Sequence, residues 1–154
     1  MPMRVQKYLD ENSVSYQLHP HREAFTAQEV AEAEHVPGKD VAKVVMLRDG
    51  DDFFMVVLPA PLRLDLDLAR GAMQRPNMEL AEEREFTDLF PDCEPGAMPP
   101  FGNLYDVPVW VDEALTSDER IVFNAGTHTH TISMLYDDFE RLVRPKVGRL
   151  AEED

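Results

Sequence analysis

The chain has 154 residues, of which 44% are hydrophobic, and this suits one domain with a sizeable core. Fifteen Lys and Arg against thirty Asp and Glu give a formal net charge of -15, which repels nucleic acid at long range and argues against an RNA partner. No run approaches ~18 apolar residues, and the first twenty residues mix charges throughout, which excludes a membrane span and a signal peptide.

These totals predict a cytoplasmic protein with a single domain over residues 1–150 and a short acidic tail at 151–154. The tail reads AEED and is expected to be disordered. The only cysteine, Cys93, excludes an internal disulfide and fits a reducing compartment.

The first half of the chain predicts two helices and three strands. Residues 4–11 have the spacing of an amphipathic helix, and SYQLH is typical of a strand. Thr26 followed by Glu29 forms a capping-box pattern, which predicts a helix that ends at Pro37-Gly38. In VAKVVMLRDGDDFFMVVLP two β-rich runs flank a turn, which predicts a central and buried hairpin.

The second half of the chain adds short helices and three more strands. LDLARGAM and EREFTDLF predict short helices, and YDDFERLV predicts a closing helix. VPVWV, RIVFNAG and HTISM predict the strands. Because strands and helices interleave without a regular βαβ rhythm, the predicted fold class is α/β with a mixed sheet.

Lys43 is the one polar side chain in VAKVVML. A lysine in a buried strand is costly unless its ammonium group reaches a cleft or a partner, so the position is a candidate functional site. The alternative, which spacing alone favours, is an alternating strand on which Lys43 merely extends to solvent.

The stretch EPGAMPPFGN predicts a rigid loop. Its prolines lack amide donors, which leaves those of Gly96, Ala97 and Met98. Converging amides of this kind can polarise a carbonyl group and stabilise the oxyanion that forms on it. A tight turn whose Met98 and Phe101 side chains fill the core explains the composition equally well.

The stretch NAGTHTHTISM places His128 and His130 two residues apart, which on a strand directs both side chains to one face. With His19 and His21 they suggest a metal site, but no glutamate or cysteine has an obvious ligand spacing. We favour one histidine as a hydrogen-bonding group in a small pocket, and the alternative is a half-exposed strand residue.

Several familiar catalytic motifs are missing from the sequence, among them GxSxG, the Walker loop, GxGxxG and CxxC. Cys93 lies between Asp92 and Glu94, whose negative charges disfavour a thiolate nucleophile. We therefore expect neither a cofactor nor a bound metal.

Taken together, these segments resemble the YbaK-like family of aminoacyl-tRNA deacylases, which is similar to the editing domain inserted in bacterial prolyl-tRNA synthetases. The resemblance runs from about His19 to Val143. It rests on three ordered segments: HPHREAFTAQEVAEAEHVPGKDVAKVVML, EPGAMPPFGN and VFNAGTHTHTISMLYDDFERL. It implies a mixed, curved sheet with flanking helices, and a hydrolase that cleaves the ester of a mischarged tRNA in trans.

The resemblance also implies roles for individual residues. Lys43 matches a strand lysine that meets the terminal adenosine's phosphate or orients the ester. Gly96 matches a loop glycine whose backbone, with Ala97 and Met98, holds the aminoacyl carbonyl. His128 matches the histidine of a GxH motif that contacts the amino-acid end in the prolyl editing branch, although THTH leaves His130 as the alternative. Further expected pocket residues are Phe25, Met46, Met98 and Phe101.

The expected substrate is therefore alanyl-tRNA(Pro) or another small amino acid on a tRNA, held by its acceptor end. A synthetase is a second candidate partner, and the protein is expected to be a monomer or homodimer with no membrane or DNA partner. The alternative is a non-catalytic binding module of the same fold, which the net charge favours. A basic patch around Lys39, Lys43, Arg22 and Arg48 would favour the enzyme.

Overall fold

The computed structural model describes residues 4–20 and 37–153. The predicted helix after Thr26 and the predicted pocket residue Phe25 lie outside the described residues. None of the described helices is long and apolar enough to cross a membrane.

The described helices are α1 (Arg4–Glu11), α2 (Leu66–Met73), α3 (Glu83–Phe86) and α4 (Tyr136–Val143). The described strands are β1 (Tyr16–Pro20), β2 (Ala42–Asp49), β3 (Asp52–Pro59), β4 (Leu62–Leu64), β5 (Glu79–Leu80), β6 (Val109–Asp112), β7 (Arg120–Asn124), β8 (His130–Leu135), β9 (Lys146–Gly148) and β10 (Ala151–Glu153).

The short helices begin and end at residues that satisfy their free backbone groups. Helix α2 begins after Asp65, whose side chain accepts a 3.0 Å hydrogen bond from the Leu68 amide. It ends at Gln74, which adopts the left-handed conformation with a φ of 55°. Glu82 and Glu85 form a capping box at the start of α3. These local signals explain why such short segments form helices where the sequence predicts them.

The largest sheet has five strands in the order β5-β2-β3-β6-β9. Strands β2 and β3 pair antiparallel around a tight turn in which Gly50 has a φ of 64°. Strand β6 runs parallel to both β3 and β9. The predicted hairpin is therefore confirmed at the centre of the sheet, and so is the predicted mixed α/β fold.

A second sheet has three antiparallel strands in the order β1-β8-β7. A single parallel bridge between Val41 and Val122 joins the start of β2 to β7. The strands are thus divided between sheets that meet at this bridge, rather than collected in the one sheet that the sequence predicts.

The third sheet corrects the prediction for the acidic tail. Residues 151–153 form β10, which pairs antiparallel with β4 from Leu62 to Leu64. Leu150 and Ala151 donate their amides to the buried Asp112 carboxylate at 2.8 Å and 3.0 Å. The expectation of a disordered tail is wrong for these residues because a buried acceptor and a strand edge hold them.

Two apolar clusters lie on opposite faces of the β2-β3 hairpin. The first contains Ala42, Met46, Met55 and Val57, and the second contains Leu47, Phe54, Val56 and Leu58. This division follows the alternation of side chains along a strand. The first cluster also packs residues of β7, β8 and α4, so it is the core between the two larger sheets.

Candidate functional site

The glycine-proline loop (residues 94–103) is bound to a turn between β7 and β8, here called the histidine turn (residues 125–129). The Glu94 amide donates to the Gly126 carbonyl at 2.8 Å, and the Gly126 amide donates to the Ala97 carbonyl at 3.0 Å. Gly126 has a φ of 103°, a conformation that glycine adopts without steric cost. Two loops that are distant in sequence therefore form one rigid unit.

His128 strengthens this connection from the side of the histidine turn. Its backbone amide donates to Glu94 Oε1 at 2.8 Å, and its Nε2 lies 2.7 Å from the Pro95 carbonyl oxygen. Because a carbonyl oxygen only accepts, Nε2 must carry the hydrogen. The residue is buried, with 6% of its surface exposed. His128 thus fixes the loop at the residue that precedes Gly96.

Gly96 lies directly against the imidazole ring. Its φ is 81°, and a Cβ atom built on it would lie 3.6 Å from Cε1 of His128. The residue itself is exposed, whereas Ala97 and Met98 are buried. The position therefore combines an open backbone with a left-handed conformation, which lets a ligand approach the main chain closely.

The amides of the loop differ in what they donate to. The Ala97 amide donates to the Glu94 carbonyl at 3.0 Å and is already used inside the turn. Within residues 4–20 and 37–153, the amides of Gly96 and Met98 have no acceptor. Two of the three predicted donors therefore remain for a ligand, rather than three.

Lys43 is connected to the histidine turn through β7. The bridge pairs Val41 with Val122, and Lys43 and Asn124 lie two residues further along each strand. Bridged residues face the same side, so alternation directs Lys43 and Asn124 to one common side. Lys43 Nζ donates to the Ala60 carbonyl at 3.0 Å. Lys43 is half-buried, so its ammonium group is held rather than extended freely into solvent.

Asn124 is a candidate that sequence reasoning missed. Its Oδ1 is buried, and no residue within 4–20 or 37–153 forms a hydrogen bond with it. Such an atom costs free energy in a folded protein, so its retention needs a reason. Asn124 lies two residues before Gly126 on the strand that leads into the histidine turn. The signal in the sequence was a polar residue at the end of the apolar run IVF.

A row of polar side chains extends across the three-stranded sheet from Asn124. Register pairs Asn124 with Thr131, and Thr131 with His19. Thr131 is fully buried, while its strand neighbour Ile132 faces the first core cluster. This polar row (His19, Thr131, Asn124 and Lys43) lies on the side of the sheet that faces away from that core.

The predicted pocket residues take different positions. Met46, Met98 and Phe101 are between 0% and 6% exposed and belong to the first core cluster, where Phe101 packs at 5.4 Å from the Phe139 ring. This matches the alternative in which Met98 and Phe101 fill the core. Their role as pocket walls stays a prediction, as does that of Phe25.

His130 does not share a face with His128, because β8 begins at His130 and His128 lies in the turn before it. Its Nδ1 lies 3.1 Å from Thr127 Oγ1 and 3.0 Å from Thr129 Oγ1. The expected strand HTISM does begin at His130, and the shared face that two residues of one strand would have does not arise, because the chain turns between the histidines. Within the described ranges, no three potential ligands cluster as a metal site would require.

Cys93 adjoins the glycine-proline loop but is not activated. Burial raises the pKa of its thiol, and Sγ lies 3.3 Å from the Tyr105 hydroxyl, which in turn donates to Asp92 at 3.1 Å. A protonated thiol is a poor nucleophile. The structure offers no thiolate at this position.

The predicted basic patch is largely neutralised by carboxylates. Lys39 Nζ lies 3.0 Å from Asp40 and 3.6 Å from Asp118. Arg48 contacts two glutamates, Glu79 at 2.6 Å and Glu85 at 2.9 Å. Arg22 lies outside the described residues. Of the proposed patch, Lys43 lies two residues after the bridge to β7 and donates to the Ala60 carbonyl.

The sequence profile of the aminoacyl-tRNA editing domain matches residues 21–142, which include Lys43, the glycine-proline loop and the histidine turn. The chain belongs to this family. Among curated proteins, no sequence match is found.

Solved structures share the editing-domain fold of this chain. The hypothetical protein APE2540 superposes with a TM-score of 0.87 at 18% identity, over 96% of this chain and 99% of that one. A protein described as "a putative trans-editing enzyme for prolyl tRNA synthetase" superposes with a TM-score of 0.82 at 22% identity, over 97% of this chain and 95% of that one. At these identities the likeness concerns the fold alone.

Proposed function

We propose that this editing domain is a free-standing aminoacyl-tRNA deacylase, which hydrolyses the ester of a mischarged tRNA in trans. The observation that carries the proposal is the exposed Gly96 backbone, which is fixed against His128, while the Gly96 and Met98 amides have no acceptor among the described residues. Rigid donors of this kind stabilise an oxyanion because they need no reorganisation during the reaction.

The proposed reaction needs no side-chain nucleophile. The aminoacyl carbonyl oxygen accepts hydrogen bonds from the Gly96 and Met98 amides, and a water molecule attacks the carbonyl carbon. The bond to the ribose oxygen breaks, and that oxygen takes up the proton that the water gives off. An ester requires modest catalysis, so orientation and oxyanion stabilisation are sufficient.

The polar row supplies the remaining contacts in this proposal. Lys43 places a positive charge on the same side as Asn124, where it attracts the phosphate of the terminal adenosine. The Asn124 Oδ1 atom accepts from the substrate's ammonium group or from the attacking water, and this use explains why a buried acceptor lacks a protein donor. His128 acts as a positioning residue, because its Nε2 is engaged with Pro95.

We propose a small amino acid as the group removed, with alanyl-tRNA(Pro) as the first candidate. A synthetase rejects a smaller amino acid only weakly, since one methylene is worth about 1–3 kcal/mol, so a second site that admits the small product adds discrimination. The related fold described for a prolyl-tRNA trans-editing protein supports this choice. We place the activity in the cytoplasm, where tRNA is charged.

The alternative is a non-catalytic binding module, which the net charge of -15 supports. A deacylation panel separates the two functions: Ala-tRNA(Pro), Cys-tRNA(Pro), Ser-tRNA and Pro-tRNA(Pro), at low and high salt. The deacylase predicts rapid loss of one small mischarged species while Pro-tRNA(Pro) is spared. Stability of every species at both salt concentrations would reject the enzyme and leave the binding module.

A further inference from the structure

In one segment of this acidic chain, all the charged residues are basic. Residues 141–149 read RLVRPKVGR and contain four basic residues and no acidic one. The segment spans the end of α4 and all of β9. In a protein with a net charge of -15, such a segment is the place where a polyanion would meet least repulsion.

The basic segment lines a groove of about 400 Å³ together with residues of the five-stranded sheet. Arg144 and Lys146 contribute charge, and Trp110 contributes an aromatic surface. The Lys146 ammonium group lies 5.6 Å from the centre of the Trp110 ring. Cations beside an aromatic ring are the combination with which proteins bind nucleic-acid backbones and bases.

The cations of the groove are not equally available. Arg75 is paired with Asp49 at 3.0 Å and with Asp52 at 3.6 Å. Among the described residues, neither Arg144 nor Lys146 forms an ion pair with a carboxylate. Arg144 and Lys146 therefore remain for an external anion. They lie on either side of Pro145, Arg144 at the C-terminal cap of α4 and Lys146 at the start of β9.

A neighbouring groove limits the direction that a polyanion can take. It shares Arg75 with the basic groove and is lined by Asp51, Asp52 and Asp106. These carboxylates repel phosphate. A polyanion bound in the basic groove must therefore extend out of it past Arg144 and Lys146.

We propose that the basic groove binds the phosphate backbone of tRNA away from its aminoacyl end. This inference rests on the proposed deacylase function and adds a second contact to it. The glycine-proline loop links the two places, because Gly96 lies in the candidate site and Asn103 lines the groove. Seven residue steps separate them, so their Cα atoms are at most about 25 Å apart. A tRNA arm covers such a distance.

Trp110 provides a direct test because it is the only tryptophan in the chain. We expect uncharged tRNA to quench its fluorescence to saturation. The double variant Arg144→Asn/Lys146→Gln removes both charges. Asn is chosen at residue 144 because its φ of 52° lies in the left-handed region, which Asn tolerates. We expect affinity at low salt to fall about tenfold, and the slope of log Kd against log salt to fall by about 2, one for each phosphate contact.

Two further variants control this experiment. Arg141→Gln removes one charge from the same segment, but Arg141 pairs with Asp138 and does not line the groove. It should leave tRNA affinity close to that of the wild type. Arg144→Lys/Lys146→Arg keeps both charges and should retain most of the affinity. Unfolding by urea checks that all variants are folded.

Three results would overturn the groove proposal: unchanged Trp110 fluorescence at saturating tRNA, an unchanged salt slope in the double variant, or an equal loss of affinity in Arg141→Gln. A comparison of alanyl-tRNA with an alanyl ester of adenosine tests the link to function. The groove predicts that the double variant loses more activity on the full tRNA. If the wild type hydrolyses neither ester but tRNA still quenches Trp110, the deacylase fails while the groove stands.

Discussion

The Nε2 atom of His128 donates to the Pro95 carbonyl oxygen over 2.7 Å, which joins the histidine turn to the residue before Gly96. The backbone amide of the same histidine donates to Glu94. One residue therefore holds the glycine-proline loop through both its main chain and its side chain. The conformation of the Gly96 backbone follows from these contacts, and with it the direction of the proposed oxyanion donors.

Replacing His128 should reduce activity strongly and stability moderately, because its side chain holds the glycine-proline loop. We expect His128→Ala to lower the free energy of unfolding by about 1–3 kcal/mol, because the Pro95 carbonyl loses its donor. Deacylation should fall mainly in kcat, as expected for a positioning residue. His130→Ala is the matched control, since His130 contacts Thr127 and Thr129 rather than the loop. Equal kinetic losses in the two variants would contradict this assignment.

Gly96 and Gly50 form a pair of sites for a backbone test. Both have positive φ, 81° and 64°, so an alanine should cost about 1–2 kcal/mol of stability at either position. Gly96→Ala should also reduce deacylation by roughly 10²-fold, because the strained backbone moves the Gly96 amide out of line with the oxyanion, although alanine keeps the N–H group. Gly50→Ala should leave the rate unchanged, because Gly50 lies in the hairpin turn and no atom of the described residues lies within 4 Å of a Cβ built on it. A common loss of activity would point to instability as the cause.

Asn124 should show a trade between stability and activity. Its buried Oδ1 has no hydrogen-bond partner in the part of the chain that the structure describes, and the residue ends a β-strand. Asn124→Val removes the unsatisfied atom and favours the strand, so the free energy of unfolding should rise by about 1 kcal/mol. Deacylation should fall at the same time. A variant that is both stabilised and fully active would show that Asn124 has no part in the reaction.

Asp118 should lower the stability of the protein as pH rises. An ordinary ion-paired carboxylate has the opposite effect, because its pKa is lowered in the folded state. Burial raises the pKa of its carboxyl group, although Lys39 lies 3.6 Å away and favours the charged form. The folded state then holds its proton to higher pH than the unfolded state. Stability is greatest below the unfolded pKa and is lost as pH rises through the folded pKa.

Asp118→Asn removes this effect. The variant should be more stable than the wild type at pH 7 by less than about 1 kcal/mol, because the lost pairing with Lys39 offsets part of the gain. The difference should shrink as pH falls through the pKa of the carboxyl group. Urea unfolding at several pH values measures it, and a difference that grows toward low pH would contradict the raised pKa.

The fold could be predicted largely from local patterns. The hairpin of β2 and β3 follows from two apolar runs around Gly50, and α4 follows from helical spacing in YDDFERLV. The tail could not be predicted, because its order depends on the distant Asp112 carboxylate and on the edge of β4. Local sequence carries no trace of such contacts.

The candidate site was predictable in composition but not in geometry. The sequence singles out the loop around Gly96 and a histidine after Gly126, and the structure brings these two segments into contact. Two features of the site depend on how the glycine-proline loop contacts the histidine turn. The Ala97 amide is used inside its own turn, and His128 lies before β8 begins. Asn124 was missed because its unpaired oxygen is visible only once its neighbours are placed.

The most direct test of the account is single-turnover deacylation of Ala-tRNA(Pro) by the wild type and by Lys43→Ala, with Pro-tRNA(Pro) as the control substrate. Because Lys43 also donates to the Ala60 carbonyl, the urea transition of the variant is measured to establish that the fold persists. We expect rapid hydrolysis of Ala-tRNA(Pro) by the wild type and its loss in the folded variant. Unchanged hydrolysis in Lys43→Ala would contradict the assigned site.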